Sequence, residues 1–282
     1  MTTSEANGRT HRYHAEATVL AGHLQLPLVQ EIKPQAYTKL PDHGGYLAQH
    51  AADYKLEGVI SFRSAYTQVA GNPGKKPGHG PSTLSTAVVE GLNVLDVVTA
   101  DRVAAQVSIE HPLDGHVPHV TFLGTHFENL RIAGHPVKLN LDLDIVGPKP
   151  ENDLPYTKAP SFMDRVARQH GNVRAHPSLL AELIGRYTGV SANPENGESI
   201  DCSLVNAAEG SFPGQCFGHV INVPDFGTIV LAALRVEHAD FLKSVPRKTT
   251  VRLTMLELKM GCIAHGDVSA ASTVNNGTDM PG

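Results

Sequence analysis

The sequence predicts a mostly β protein: an antiparallel β-sandwich or barrel with a short helical insert at about 161–188. Three observations carry that expectation. Apolar and polar residues alternate over long runs. Val103, Ala105, Val107 and Ile109 are interleaved with Arg102, Ala104, Gln106, Ser108 and Glu110, and Val137, Leu139, Leu141, Leu143 and Ile145 with Lys138, Asn140, Asp142 and Asp144. Such period-two patterning turns one face of a strand to a core and the other to water, as antiparallel sheets do. Glycine and proline are frequent, with 26 Gly and 19 Pro, and they cut the runs where turns are needed. Trp is absent and Phe and Tyr are few, so the core is expected from Val, Leu, Ile and Ala.

Residues 1–10 read as a flexible tail. A strand runs from Tyr13 to Leu26 with Ala15, Ala17, Val19 and Ala21 on one face. Pro27, Pro34 and Pro41 then space an irregular segment, and His43-Gly44-Gly45 reads as a turn. Val59 to Val69 is a second strand, with Val59, Ser61, Arg63 and Ala65 opposing Ile60, Phe62, Ser64 and Tyr66. Strands near 84–98, 102–111, 119–133 and 136–146 form sequential hairpins. Ser161 followed by Asp164 resembles a helix start, and Phe162, Val166 and Ala167 share a helical side. Pro177 suits the first turn of a second helix. Leu179, Leu180, Leu183, Ile184 and Tyr187 form its apolar stripe, and Gly189 ends it. Strands resume at 200–206, 217–223, 227–238 and 249–260, with a change of alternation phase at Met255 and Leu256. The small, polar stretch 269–282 reads as a second flexible tail, leaving 11–268 as a single β-rich domain. Asn276-Gly277-Thr278 fits a glycan acceptor pattern and reads as incidental.

Lys and Arg total 23 against 28 Asp and Glu, a net charge of -5, so the basic footprint of a nucleic-acid binder is missing. No apolar run reaches the length of a membrane-spanning helix, and no signal peptide is visible. The expected location is cytoplasmic, or outside the cell if a leader has been removed. Cys202 and Cys216 flank a Gly- and Pro-containing loop and can pair in a secreted protein; the favoured reading is that they and Cys262 are reduced core residues.

The densest chemistry lies between Glu110 and Glu128. Imidazole and carboxylate are ligands for divalent metals, and a hairpin joining His111 to His119 would gather His111, His116, His119 and His126. Glu128 shares a strand face with His126 by parity. A second set is His238 with Asp240, which share a face and suit an oriented general base. These give His238, Asp240 and Glu128 as candidate catalytic residues and the four histidines as candidate ligands of a divalent metal. No Gly-x-Ser-x-Gly elbow or phosphate-cradling loop occurs.

The stretch Ser85 to Val103, with its Val-Val-Thr-Ala-Asp-Arg-Val close, and the stretch Thr121 to Val137 resemble bacterial β-rich proteins of the "choice-of-anchor P" type. The resemblance covers roughly the middle third of the chain and part of the C-terminal strands. It implies a β-rich, usually exported protein and supplies no catalytic residue. Three functions follow. The first is a non-catalytic protein that binds a small ligand or assembles with copies of itself through exposed strand edges. The second is a small-molecule cyclase or isomerase acting in a barrel cavity by His and carboxylate chemistry. The third is a His-ligated metal enzyme.

Overall fold

A computed structural model describes residues 10–26, 29–56, 58–74, 77–176, 179, 181–193, 197–239, 248–261 and 264–280. In chain order the strands begin with β1 Thr10–Leu26, β2 Gln30–Gln35, β3 Thr38–Lys39, β4 Gly45–Leu56, β5 Ile60–Asn72, β6 Ser82–Val94 and β7 Val98–Glu110. Shorter pieces follow: β8 His119–Thr121, β9 His126–Glu128, β10 Arg131–Ile132, β11 His135–Pro136 and β12 Lys138–Leu141. Helices α1 Pro160–Arg174 and α2 Ala181–Arg186 separate these from β13 Ser191–Asn193, β14 Gly197–Ser203, β15 Val205–Glu209, β16 Gln215–Phe217, β17 Val220–Val223, β18 Gly227–Ala239, β19 Lys248–Gly261 and β20 His265–Met280.

Two open antiparallel sheets pack face to face as a sandwich and do not close into a barrel. Sheet A runs β13-β14-β18-β19-β20-β1-β2, and sheet B runs β11-β10-β7-β6-β5-β4. Val19, Ile229, Leu253 and Leu258 of sheet A meet Val89, Val103, Val107 and Ile109 of sheet B in one apolar core. Among the described residues no helix is long and apolar enough to cross a membrane.

Both sheets carry a transverse crease at which the in/out alternation changes phase. In sheet A the inward residues double up: Val19 with Leu20, Leu231 with Ala232, Met255 with Leu256, and Ala270 with Ala271 are all buried. Every second strand along this row holds a left-handed residue: Ala232 (φ 44), Ala271 (φ 51) and, beyond β2, Ala36 (φ 47). The pairing register continues unchanged on either side, from Leu231↔Leu256 to Ala233↔Thr254 and from Leu256↔Ala270 to Thr254↔Ser272. The phase change at Met255 and Leu256 is therefore present without an inserted residue. Sheet B does the reverse. Its inward residues skip, from Phe62 to Ala65, Val89 to Leu92 and Ala100 to Val103, with Asp53 (φ 53), Gly91 (φ 65) and Asn129 (φ 49) left-handed along the row. The doubled residues of sheet B, Arg63-Ser64, Glu90-Gly91 and Asp101-Arg102, face outward.

These creases correct two simple alternations. In β1 the buried set is Tyr13, Ala15, Ala17 and Val19, then Leu20 and Leu24, so Ala21 faces out. In β5 Ala65 joins Ile60 and Phe62 inside. The expected strand at 119–133 breaks into β8, β9 and β10, and of 136–146 only β11 and β12 are strand. The expected tail at 269–282 is overturned as far as residue 280. β20 pairs with β1 from Thr10↔Met280 to Leu26↔His265, and Thr273 and Asn275 are fully buried. Asn276 is 9% exposed and donates to Thr250, inside a strand rather than on a glycan-accepting loop.

The helical excursion falls where the apolar spacing put it. Its start differs: Pro160 takes the first turn with Ala159 as the capping residue, and no side chain caps it, so Ser161 does not have that role. Pro177 and Leu180 lie outside the described residues. Helix α1 seals the open edge of β14. The Gln169 amide donates to the Ser203 carbonyl (2.8 Å) and accepts from the Ser203 N–H (3.0 Å), and His170 Nε2 donates to the Asp201 carbonyl (2.6 Å). A buried strand edge needs such partners, because an unpaired backbone group out of water costs as much as a lost hydrogen bond. Cys202 is buried and Cys216 exposed, both free, so neither the pairing nor the reading of Cys216 as core stands; Cys262 lies outside the described residues.

The crease makes a specific demand on Ala271. A left-handed backbone disfavours a β-branched side chain most. Ala271→Val is expected to destabilise the protein by about 1–3 kcal/mol, and Ala271→Gly to stay within about 1 kcal/mol of wild type, by urea unfolding.

Candidate functional site

The four histidines proposed as metal ligands are not gathered by the fold. His111 is 3% exposed just after β7 and packs against His11 of β1, the two rings tilted at 55° with centroids 4.6 Å apart. Gly277 of β20 makes that contact possible: a Cβ there would lie 2.5 Å from His111 Nε2 and 2.8 Å from His11 Nε2. The backbone N–H of His116 donates to Asp153 Oδ1 in a loop (2.6 Å). His119 is exposed opposite Glu110. His126 Nδ1 donates to the Gly124 carbonyl (2.8 Å), and its Nε2 lies 3.1 Å from Glu128 Oε1, so the shared face of His126 and Glu128 is present on the outside of sheet B. Among the described residues no group of three or more His, Cys, Asp or Glu side chains is placed to hold a metal.

The catalytic set separates as well. His238 is buried on β18 of sheet A, in register with Glu198 and Thr249. Glu128 belongs to β9 of sheet B. Asp240 lies outside the described residues.

The structure instead builds a depression on the outer face of sheet A. Where two successive residues point inward at the crease, the outer face skips two positions, and the sheet is left with a gap. Around that gap stand Thr18 and Ala21 of β1, Ser269 and Ser272 of β20, and Thr254 and Glu257 of β19. Short side chains there leave a hollow of about 670 Å³, with Pro34 and Tyr37 on one bank. Gly22 belongs to the same floor; a Cβ on it would meet the Asp267 carbonyl oxygen at 2.4 Å. A smaller hollow of about 210 Å³ adjoins it and shares Arg252, Thr254 and Glu257.

The opposite bank is charged and held by the helices. Arg186, at the end of α2, donates two hydrogen bonds to the Glu257 carboxylate (2.5 and 3.2 Å), and its Nε lies 3.1 Å from Asp201 Oδ1, outside hydrogen-bond geometry. Burial opposes the charge on Arg186, but hydrogen bonding to Glu257 and the surrounding negative charge outweigh it and raise its pKa. Arg235 of β18 reaches Asp201 (3.4 Å), Glu237 (2.7 Å) and Ser199 (3.1 Å). Glu16 accepts from Lys39 (3.0 Å), which closes the side next to Tyr37. Arg252 stands directly across from Arg235 and makes no ion pair or hydrogen bond among the described residues.

Beneath α2 a second apolar cluster joins Leu183 and Tyr187 to Phe217, Val220, Val230 and Ala233. It encloses two imidazoles. His219 packs edge-on against Tyr187, with centroids 4.8 Å apart, and His170 makes a second edge-on contact with that ring at 5.6 Å. Burial, the Arg186 charge and the proximity of His170 hold His219 down at about 3. Burial also lowers His170 and raises the Tyr187 phenol. None of these residues carried a recognisable motif; the visible signal was the apolar helix stripe that ends in Tyr187.

Residues 11–237 match the family described as Domain of unknown function (DUF8256). The chain belongs to that family. The matched span runs from β1 into β18, so it includes both banks of the depression, while β19 and β20, which supply much of its floor, follow it. No curated protein matches the chain.

Two outcomes follow from this geometry. His119→Ala is expected to shift stability by no more than about 0.5 kcal/mol in urea unfolding, as for an exposed residue with no side-chain partner among the described residues. His219 stays neutral in the folded protein down to about 3, against an ordinary value of 6.5. The unfolded chain therefore takes up the proton first as pH falls, so this residue's contribution is complete above pH 6.5 and is lost progressively between there and pH 3. Thermal unfolding across that range is expected to show a shallower acid-side decline in His219→Phe than in wild type.

Proposed function

We propose that this is a non-catalytic binding protein whose depression on sheet A takes a small, hydroxyl-rich ligand carrying one carboxylate. The observation that carries the reading is the Arg235–Arg252 pair. Like charges directly opposite on neighbouring strands repel. Arg235 is neutralised by Asp201 and Glu237, whereas Arg252 faces the junction of the two hollows without a partner among the described residues. A guanidinium in that position suits bidentate recognition of a carboxylate. The rest of the floor suits hydroxyls: Thr18, Thr254, Ser269 and Ser272 both donate and accept, Glu16 and Asp267 accept, and the Tyr37 ring offers a flat edge. The hollow's size falls within the ~300–1,000 Å³ usual for small-molecule sites.

Three glutamates around the two hollows favour binding over proton transfer: Glu257, Glu237 and Glu16 are each engaged by a cation, Arg186, Arg235 and Lys39. The cyclase or isomerase reading required an enclosed barrel cavity, and the sheets remain open.

Thermal-shift titration with D-glucuronate and D-galacturonate, against glucose and galactose, tests the proposal. The uronates are expected to raise Tm, and the neutral sugars to do so less, because a ligand that binds only the folded state stabilises it by mass action. Arg252→Ala should erase the preference for the acids, and Ser272→Trp, which fills the floor, should erase the shift. No shift with either uronate, or an undiminished shift in Ser272→Trp, would overturn it.

A further inference from the structure

Among the described residues the main strand path of each sheet ends on two strands, and three of these four ends carry devices that discourage pairing with another chain; the edge strands off those paths, β3, β8, β9 and β16, are two or three residues long. β2, at one edge of sheet A, contains Glu31, Lys33 and Pro34. β13, at the other, is three residues long. β11, at one edge of sheet B, is two residues long and includes Pro136. Short length, charge and proline are the usual ways of blunting an edge.

β4 lacks them. Its twelve residues pair with β5 on one side from Gly45↔Gly71 to Leu56↔Ile60, and among the described residues its other side has no strand beside it. From Gly45 to His50 every residue is exposed, so neither face is covered. Tyr46 is 62% and Leu47 42% exposed. Gly45-Tyr-Leu-Ala-Gln-His-Ala-Ala52 contains no Asp, Glu, Lys, Arg or Pro. Asp53, left-handed in the crease of sheet B, ends this regular stretch.

We propose that β4 is a homodimer interface, in which Tyr46 to Ala52 pairs antiparallel with the same segment of a second copy about a two-fold axis at Gln49. Self-pairing is the arrangement this segment suits. A two-fold axis sets the strand against its own reversed sequence, so a charged edge meets its own charges, and this one has none. Centring at Gln49 puts Leu47 opposite the partner's Ala51 and Tyr46 opposite the partner's Ala52. Leu47 lies in register with core residue Val69, and Ala51 with core residue Ala65, so their face continues the inner face of sheet B. Tyr46 and Ala52 lie on the other face. The pairing would join two copies of sheet B into one continuous sheet, an isologous contact that closes at the dimer.

Sedimentation velocity and light scattering on the full chain, from low to high micromolar concentration, test this. Wild type is expected to reach twice the monomer mass. Ala48→Lys, which sets a charge near the axis of each copy, should raise the dimer dissociation constant at least tenfold while leaving far-ultraviolet circular dichroism and Tm unchanged. In a Cys216→Ser background, Gln49→Cys should oxidise to a covalent dimer, since directly opposed antiparallel residues lie at disulfide distance. Lys33→Cys on the protected β2 edge should not. A monomer at every concentration, open-ended polymers, or a dimer indifferent to Ala48→Lys with no Gln49→Cys cross-link would each overturn it.

Discussion

The crease across sheet A is the constraint on which the outer surface depends. A regular pleat sends side chains alternately to each face, and such a sheet presents an even outer surface. At Val19-Leu20, Leu231-Ala232, Met255-Leu256 and Ala270-Ala271 two consecutive residues go inward. The outer face must then skip from Thr254 to Glu257, from Ser269 to Ser272 and from Thr18 to Ala21. Left-handed backbone at a residue with a Cβ costs roughly 1–2 kcal/mol. The residues that adopt it, Ala36, Ala232 and Ala271, carry the smallest Cβ-bearing side chain, and all are buried. The strain is thus confined to alanines whose burial adds contacts on the inner face and whose backbone opens the hollow on the outer one.

The charged bank follows from a second, independent requirement. β14 pairs with β18, but its far edge at Asp201 to Ser203 has backbone groups that sheet pairing leaves open. Gln169 and His170 of α1 fill them, which fixes that helix. Helix α2 then covers the outer face of β18 with Leu183 and the following Tyr187, and Arg186 is set between Asp201 and Glu257. A purely apolar helix contact would permit sliding. The ion pairs direct it, since Arg186 meets both carboxylates only in one placement. The same Asp201 neutralises Arg235 across the strand pair, which leaves Arg252 as the guanidinium of that pair without an ion pair among the described residues.

The sheets themselves were legible where one face is apolar and the other wet, as in β7. They were less so where both faces are covered. The Ile229 to Leu234 run of β18 is continuous because its outer residues Val230 and Ala233 lie under the helices while its inner ones face the core. β20 reads as a tail because its inward residues include Thr273 and Asn275, small polar groups that composition assigns to the surface. The first half of β4 shows no alternation because Gly45 to His50 are exposed on both faces. The crease left one visible mark, the phase change at Met255-Leu256, and the same slip from Phe62 to Ala65 was hidden by a simple alternation through Arg63. The histidine-dense stretch misled because sequence proximity is not convergence: His111 turns inward to His11 while His116, His119 and His126 stand on loops and the outer face of sheet B. The depression had no motif, being made of outward residues on non-consecutive strands.

How the two sheets hold their relative placement is a separate question from what fills the space between them. Apolar burial is non-directional and tolerates rotation of one sheet over the other. Towards the end of the sandwich at Thr83 and Thr273, the interior becomes polar, with Thr67, Thr83, Ser85 and Thr273 all buried among aliphatic neighbours. There Asn275 of β20 donates from Nδ2 to the Val107 carbonyl of β7, at 2.7 Å, a bond from one sheet to the backbone of the other. Losing it would strand a buried amide, at a cost of roughly 1–3 kcal/mol. Alternative stackings that bury the same apolar area therefore differ from the native one by a directed term. The ring contact of His11 with His111, for which Gly277 makes room, lies in the same polar end and links β1 to the end of β7. The apolar middle supplies cohesion, and this polar end sets which of the possible packings is adopted.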